Sequence, residues 1–168
     1  MNIDEYKPSV CMCVYKRVNN LPKIVKALEK QTYKYFDFNI WCNNISKLEK
    51  VKDILNNSKL NYNIYFSDKN EGSKSRFWLV PKCNGNPIMF FDDDQIPMED
   101  YVEYLLKAYI KNPYSVQGYH NRVFTIESYW RKSSNRPEGM EVDYVGTGGM
   151  VVGREIVLDK RAQSIESV

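Results

Sequence analysis

The feature that constrains this chain most is an alternation of short apolar runs with segments whose apolar residues recur at helical spacing. Successive strand, helix and strand patterns are typical of parallel sheets that are covered by helices. The first half of the sequence repeats this pattern clearly, with strands predicted at Ser9–Tyr15, Phe36–Cys42, Tyr62–Phe66 and Ile88–Phe91. We therefore predict an α/β protein with a mainly parallel central sheet flanked by helices.

The segments between these strands predict the helices. Asn20 is the expected N-cap of the first helix, and Pro22 is tolerated in its first turn. A helix after Pro97 is expected to run to about Lys111, where Asn112-Pro113 stops it. A second helix around Leu48–Leu55, a short helix at Phe77–Val80, and later strands at Ser115–Tyr119, Val123–Ile126 and Met150–Val152 complete the prediction.

Length and composition limit the protein classes that fit. The 168 residues suit a single domain spanning residues 1–168, and 43% apolar residues are enough for a packed core. A net charge of +3, interspersed along the chain, does not indicate a nucleic-acid partner. The first residues lack the pattern of a signal peptide, and no apolar run approaches the ~20 residues of a membrane span. We expect a soluble, cytoplasmic protein.

Three consecutive aspartates, Asp92, Asp93 and Asp94, directly follow the predicted fourth strand. Two unit charges ~4 Å apart repel by about 4 kcal/mol at an effective dielectric near 20, and a divalent cation would relieve this repulsion. If the strand geometry continued, Asp92 and Asp94 would share one face. Oxygen ligands favour Mg²⁺ or Mn²⁺. The alternative is a solvated acidic loop that caps the following helix.

Several segments, taken in order, resemble glycosyltransferases of the GT-A fold, a Rossmann-like nucleotide-sugar-binding fold, and especially the family 2-like set. The segments that carry this resemblance are Ser9–Arg17, Ala27–Tyr33, Asn70–Arg76, Phe91–Asp94 and Gly146–Gly149. They look like the opening strand and nucleotide loop, the end of the first helix, the loop beneath the sugar-diphosphate, the metal motif and the Gly-rich acceptor-side segment. The resemblance implies a metal-dependent glycosyltransferase.

The resemblance also implies roles for individual residues. Asp94 would bind the cation, and Asp92 would contact the metal or the ribose. The segment Val14-Tyr15-Lys16-Arg17 would line the nucleobase, and Lys74 or Arg76 would neutralise phosphate charge. The remaining residues expected to bind the nucleotide-sugar are Gly72, Asp93, Gly148 and Gly149.

One departure from the family concerns the end of the second strand, where the family usually carries an aspartate and this chain has Asn43-Asn44. An asparagine side chain both donates and accepts hydrogen bonds, so it can still recognise a pyrimidine edge. We therefore include Asn43 and Asn44 among the expected nucleotide-binding residues.

A second departure concerns the catalytic base, which an inverting glycosyltransferase needs to deprotonate the acceptor hydroxyl. The acidic residues nearest the Gly-rich segment are Glu141, Asp143 and Glu155, and none stands where the family has its base. Glu141 and Asp143 are better interpreted as the exposed face of a strand. We expect the base to lie beyond Val168, in a longer enzyme of which this chain is the N-terminal part. His120, the only histidine, is interpreted as a surface or hydrogen-bonding residue.

The expected donor is a UDP-sugar, and the expected acceptor is a hydroxyl group of a glycan or glycoprotein. A nucleotidyltransferase is an alternative, although Tyr15–Asn20 lacks the glycines that such enzymes carry after the first strand. A noncatalytic nucleotide-sugar-binding module also stays open, because no base is evident. The composition, rich in Asn, Lys, Ile and Tyr, additionally resembles glycosyltransferases of large algal DNA viruses, which would place the protein in the host cytoplasm.

Overall fold

The central sheet follows the predicted architecture in a computed structural model that describes residues 2–124 and 139–159. The strands of these residues are β1 Ser9–Val14, β2 Asp37–Cys42, β3 Tyr62–Phe66, β4 Ile88–Phe90, β5 Gln117–Gly118, β6 Asn121–Arg122, β7 Tyr144–Val145 and β8 Met150–Val152. Within this described part, six strands form one sheet in the order β3-β2-β1-β4-β8-β5, and β6 pairs with β7. β1 to β4 are parallel, whereas β8 is antiparallel to β4 and β5. The prediction of a mainly parallel sheet is confirmed.

Helices cover both faces of this sheet. Their bounds are α1 Leu21–Glu29, α2 Leu48–Asn56, α3 Tyr101–Lys111 and α4 Arg154–Leu158, with a 3₁₀ helix at Ser73–Lys82. On one face, alternate residues of β1 such as Met12 pack in a core with α1, α2 and α3. On the other face, Cys11 and Cys13 pack with Leu79 and Val80 of the 3₁₀ helix. None of the helices in the described part of the chain is long and apolar enough for a membrane crossing.

Local predictions differ from the structure in two places. Asn20 does not cap α1, because a 3₁₀ turn at Val18–Asn20 precedes the helix and Asn20 already has helical backbone angles. Its side-chain amide instead donates to the backbone oxygen of Asp93, at 3.0 Å. The strand predicted at 123–126 lies partly outside the described residues, and the observed strand there is the shorter β6 at Asn121–Arg122.

The strand directions bring several loops to one edge of the sheet. The carboxyl ends of the parallel strands β1, β2 and β4 lie at this edge, which is where open α/β sheets bind their ligands. Since β8 runs antiparallel to β4, with Met150 opposite Phe90, the segment that precedes β8 reaches the same edge. The Gly-rich segment Gly146–Gly149 and the acidic run Asp92–Asp94 therefore meet there.

Candidate functional site

The acidic run forms a turn and is not a continuation of β4, which ends at Phe90. The backbone N–H of Gln95 donates to the backbone oxygen of Asp92 at 3.1 Å, and the backbone N–H of Asp92 donates to Oε1 of Gln95 at 3.0 Å. The expectation that strand alternation places Asp92 and Asp94 on one face is therefore wrong. Their relative position is set by this turn, which we call the acidic turn and define as Asp92–Gln95.

An exposed arginine offsets part of the negative charge of Asp93 and Asp94. Nη1 of Arg17 lies 2.9 Å from Oδ1 of Asp93 and 3.3 Å from Oδ2 of Asp94. The hydrogen bond to Asp93 and the attraction of both carboxylates raise the pKa of the Arg17 guanidinium. Asp93 is turned inward, with its side chain 13% exposed, whereas the Asp94 side chain is 50% exposed. Asp94 is thus the aspartate most open to a ligand.

A buried arginine holds Asp92. Nη1 of Arg76 contacts Oδ1 of Asp92 and donates to Oγ1 of Thr147 at 2.7 Å, while its Nε donates to the backbone oxygen of Ser73 at 2.9 Å. Burial opposes the charge of this guanidinium, but Cys13 and Asp92 outweigh burial and raise its pKa. Arg76 therefore joins the 3₁₀ helix, the acidic turn and the Gly-rich segment. Sequence analysis left open whether Lys74 or Arg76 faces phosphate. The guanidinium of Arg76 is used in these internal contacts, which leaves Lys74 as the candidate.

Lys74 is the exposed cation of the same loop. Its side chain is open to solvent, with Nζ 5.9 Å from the centre of the Trp78 ring. Gly72, two residues earlier, has a φ of 72°, a left-handed conformation that glycine adopts without strain. Gly72 therefore lets the chain turn sharply out of the loop after β3 and into the 3₁₀ helix that carries Lys74.

Asn43 fixes this loop from the end of β2. Its Nδ2 donates to the backbone oxygen of Gly72 at 2.9 Å and to Oγ of Ser75 at 2.8 Å, and its Oδ1 accepts from the backbone N–H of Glu71 at 3.3 Å. The side chain is buried, so both of its N–H donors are used inside the protein. Asn44 is partly exposed and its Oδ1 accepts from the backbone N–H of Ser46 at 3.1 Å. Of the two asparagines, only Asn44 reaches solvent.

We expect Asn43→Ala to lower the free energy of unfolding by about 1–3 kcal/mol, since it leaves buried polar groups of the Gly72 loop without partners. Urea denaturation followed by circular dichroism measures this loss. Asn44→Ala is the matched control and should cost less, about 1 kcal/mol, because it removes only a local cap. Equal losses in the two variants would contradict the role assigned to Asn43.

Only part of the segment Val14–Arg17, which was predicted to line the nucleobase, is accessible in the structure. Val14 is a buried strand residue whose backbone oxygen accepts from the N–H of Asn43 at 2.8 Å, so its side chain does not line a nucleotide site. Tyr15 is partly exposed and Lys16 is exposed, with Nζ of Lys16 5.5 Å from the centre of the Tyr15 ring. The part of this loop that can meet a ligand is therefore Tyr15–Arg17.

The Gly-rich segment packs directly on the acidic turn. The backbone N–H of Gly149 donates to the oxygen of Phe90 at 2.9 Å, and Gly149 has a φ of 95°. A Cβ atom added to Gly148 would lie 2.6 Å from Nε2 of Gln95 and 3.0 Å from Oδ2 of Asp92. A side chain at position 148 would push the acidic turn away, so the glycine allows this close approach.

A cavity of about 260 Å³ opens beside the acidic turn. It is lined mainly by apolar and aromatic side chains, with Gln95 and His120 as its polar side chains; the lining residues are Phe91, Gln95, Ile96, Pro97, Met98, Tyr101, Tyr119, His120, Gly148 and Gly149. Sequence analysis did not select Gln95 or Tyr119, and it interpreted His120 as a surface residue. Only the position of Gln95, three residues after Asp92, hints at its role in the turn.

The three candidate bases lie outside this arrangement of contacts. Asp143 directly precedes β7, and its Oδ2 accepts from the backbone N–H of Phe124 at 2.7 Å; Glu141 is exposed. Glu155 follows β8, whose end at Val152 is paired with Ile88 at the start of β4. Glu155 therefore lies at the edge opposite the aspartates.

The residues of the acidic turn fit a divalent cation that is shared with a diphosphate. Across residues 2–124 and 139–159, no three His, Cys, Asp or Glu side chains are grouped to hold a metal by themselves. Mg²⁺ and similar cations are commonly held by one or two carboxylates together with substrate phosphates. The half-exposed Asp94, together with Asp92 of the same turn, would supply such carboxylates. The oxygen-only donors match a hard cation.

Comparison with known families agrees with the fold. The model of glycosyl transferase family 2 matches residues 9–157, which includes every strand of the central sheet, the acidic turn and the Gly-rich segment. The chain belongs to glycosyl transferase family 2. A comparison with curated proteins gave no match.

Solved structures show the same fold. S. aureus TarS 1-349 in complex with UDP matches with a TM-score of 0.66 and 17% identity over 92% of this chain and 49% of that one. The complex of the same protein with UDP-GlcNAc gives 0.66 and 16% identity over 92% and 47%. The mannosyltransferase PcManGT from Pyrobaculum calidifontis, in complex with GDP-Man and Mn²⁺, gives 0.62 and 11% identity over 70% and 36%.

These matches confirm the GT-A fold, and their identities limit them to the fold. The chain spans 29% of full TarS and about half of TarS 1-349. None of the three matches described is viral, so the resemblance to algal virus enzymes gains no support from them.

Proposed function

We propose that the chain is the donor-binding part of a metal-dependent glycosyltransferase that uses a nucleotide-sugar, with a UDP-sugar as the favoured donor. The observation that carries this proposal is the half-exposed carboxylate of Asp94 on a turn fixed by Arg76 and Gln95, at the carboxyl edge of a parallel sheet. Similar folds bind UDP, UDP-GlcNAc and GDP-Man with Mn²⁺, which supports the donor class.

We assign each step of donor binding in the proposed site to particular residues. Asp94, assisted by Asp92, would hold Mn²⁺ or Mg²⁺, which when bound stabilises negative charge on a leaving nucleoside diphosphate. Lys74 attracts the diphosphate as an exposed point charge. Tyr15, Lys16 and Asn44 surround the expected place of the nucleobase. Arg17 holds Asp93 and Asp94 together before the donor arrives, which orients the turn for binding.

The acceptor side is proposed at the Gly-rich segment, which meets the acidic turn from β8. Transfer to a glycan or glycoprotein hydroxyl in an inverting reaction requires a base. Among the described residues, the contact of Asp143 with Phe124 and the sheet register before Glu155 argue against these two as the base. The proposal assigns the base to a residue outside 2–124 and 139–159.

A second candidate is a noncatalytic nucleotide-sugar-binding module, which the lack of a well-placed base among the described residues favours. Measurement of UDP release from UDP-GlcNAc and UDP-glucose, with Mn²⁺ and with chelator, distinguishes the two functions. Metal-dependent release by the full-length gene product supports the transferase. Tight, metal-dependent binding without release would support the module.

We expect Lys74→Ala to raise the dissociation constant of UDP about tenfold, which corresponds to ~1.4 kcal/mol, because it removes a positive charge from the diphosphate. Isothermal titration calorimetry with UDP and Mn²⁺ measures the change. Lys82→Ala, at the other end of the same 3₁₀ helix, is the matched control and should bind UDP as the wild type does. An unchanged dissociation constant for Lys74→Ala would remove Lys74 from the proposed site.

A further inference from the structure

We propose that Cys11 and Cys83, which we call the thiol pair, form an internal disulfide bond when the folded protein meets a small-molecule disulfide such as oxidised glutathione. Their Sγ atoms lie 3.4 Å apart, although the two residues are 72 positions apart in the sequence. Both side chains are buried, and both are free thiols in this structure. The thiol pair lies in the core on the face of the sheet that the 3₁₀ helix covers, and it takes no part in the proposed donor binding.

The backbone around the thiol pair holds the two sulfur atoms together. Cys11 belongs to β1, and Cys83 directly follows the 3₁₀ helix. Two residues from each cysteine, the backbone N–H of Gly85 donates to Oγ of Ser9 at 3.0 Å. A Cβ atom added to Gly85 would lie 2.4 Å from the backbone oxygen of Lys7, so only a glycine allows this close approach. A disulfide bond is about 2.0 Å long, so on oxidation the sulfur atoms approach by roughly 1.4 Å.

The other two cysteines have different partners. Nη2 of Arg76 contacts Sγ of Cys13 at 3.5 Å, which ties Cys13 to the link between the 3₁₀ helix and the acidic turn. Cys42 packs in the core on the opposite face of the sheet, where its Sγ donates to the backbone oxygen of Asn44 at 3.2 Å. The sheet therefore separates Cys42 from the thiol pair. Among the four cysteines, the fold thus favours the single pairing of Cys11 with Cys83.

Oxidation of the thiol pair proceeds by two thiol–disulfide exchanges. The thiolate of Cys83 attacks one sulfur of oxidised glutathione, which breaks the glutathione S–S bond and releases one glutathione thiolate. The thiolate of Cys11 then attacks Sγ of Cys83, which forms the internal bond and releases the second glutathione thiolate. The two protons lost by the protein thiols are taken up by the two released thiolates. The protein is thus oxidised by two electrons, and glutathione disulfide is reduced to two thiols.

Access to solvent sets the order of these two exchanges. Cys83 is 2% exposed but lies between the exposed residues Lys82 and Asn84, so a local opening at the end of the 3₁₀ helix brings it to the oxidant. Cys11 is 0% exposed and lies in a strand that is paired on both sides. Burial and the contact with Cys83 also raise the pKa of the Cys11 thiol, so Cys11 stays protonated in the reduced protein and reacts second.

The test oxidises the complete folded chain and counts its thiols. Reduced protein is incubated with oxidised glutathione and then denatured, after which free thiols are titrated and peptide mass mapping locates any cross-link. We expect the 4 free thiols to fall by two and one cross-link to join Cys11 with Cys83. Because this cross-link closes a long loop, the melting temperature measured by differential scanning calorimetry should rise by about 5–10 °C and return to its first value on reduction with dithiothreitol.

Two cysteine variants complete the test. Cys83→Ala should keep all its remaining thiols through the same treatment, whereas the matched control Cys42→Ala should still form the cross-link. Thiols that all stay free in the wild type, a cross-link to Cys13 or Cys42, glutathione held on Cys83 without a cross-link, or a melting temperature that does not rise would each overturn the proposal. The wild-type map decides even where Cys83→Ala folds poorly. No nucleotide-sugar is needed, so the result is independent of the proposed function.

Discussion

Asp94→Ala is expected to reduce metal-dependent binding of UDP and UDP-GlcNAc about 100-fold or more while the fold stays intact. The Asp94 side chain is 50% exposed, and it forms a surface ion pair at 3.3 Å with Arg17, whose side chain is 57% exposed. Its removal therefore costs little stability. It would also remove a carboxylate that holds the proposed cation, and every ~1.4 kcal/mol of lost binding free energy is a factor of ten in affinity. Calorimetry with Mn²⁺ measures the loss.

Glu99→Ala is the matched control for Asp94→Ala. Glu99 lies five residues further along, is 70% exposed, and forms a comparable surface ion pair with Lys30 at 3.8 Å. It removes the same charge from the protein without touching the acidic turn. We expect it to bind UDP and Mn²⁺ as the wild type does. If both variants lost affinity equally, the effect would come from net charge, and the assignment of Asp94 would fail.

Arg76→Met is expected to lower the free energy of unfolding by about 2–3 kcal/mol and the melting temperature by roughly 5–10 °C. The Arg76 side chain is 6% exposed and contacts Asp92, Thr147, Ser73 and Cys13. Breaking a buried ion pair costs about 3–5 kcal/mol, and the 35% exposure of the Asp92 side chain reduces this value, since water can hydrate the freed carboxylate. Differential scanning calorimetry measures both quantities.

Arg17→Met is the matched control for Arg76→Met, because it makes the same exchange at an arginine whose side chain is 57% exposed. Its melting temperature should change little. Arg76→Lys should fall between wild type and Arg76→Met, since lysine keeps the charge but cannot reproduce the fork of hydrogen bonds. An Arg76→Met protein as stable as the wild type would contradict the account of Arg76 as the link between the acidic turn and the Gly-rich segment.

The parallel sheet could be predicted because its signal is local. β1 is a nearly continuous apolar run, β2 has apolar residues around Asp37 and Asn39, and α1 to α3 carry apolar residues at helical spacing. Each element is therefore encoded within its own sequence. The place of Asp92–Asp94 at the carboxyl edge was also predictable, from the family resemblance and from the rule that ligands bind at this edge of such sheets. Their meeting with Gly146–Gly149 was not predictable, because it depends on the antiparallel direction of β8.

The contacts inside the site were not predictable, because they join residues far apart in the sequence. Arg76 meets Thr147 across 71 positions, and Gln95 meets His120 across 25. Periodicity carries no information on such pairs. Asn20 shows the same limit. Asparagine is a residue type that favours the N-cap, but in the fold its side-chain amide donates to the backbone oxygen of Asp93. The strand argument for Asp92 and Asp94 failed for a related reason, because the side chain of Gln95 closes a turn immediately after Phe90.

The central claim is that the acidic turn binds a nucleotide-sugar through a divalent cation. Its most direct test is calorimetric titration of the wild-type protein with UDP-GlcNAc, with UDP and with GDP-mannose, in Mn²⁺ and again after addition of chelator. The account predicts saturable binding at one site in Mn²⁺, strongest for a UDP ligand, and its loss with chelator. Binding that is equally strong with chelator, or no binding of any of the three ligands, would contradict it.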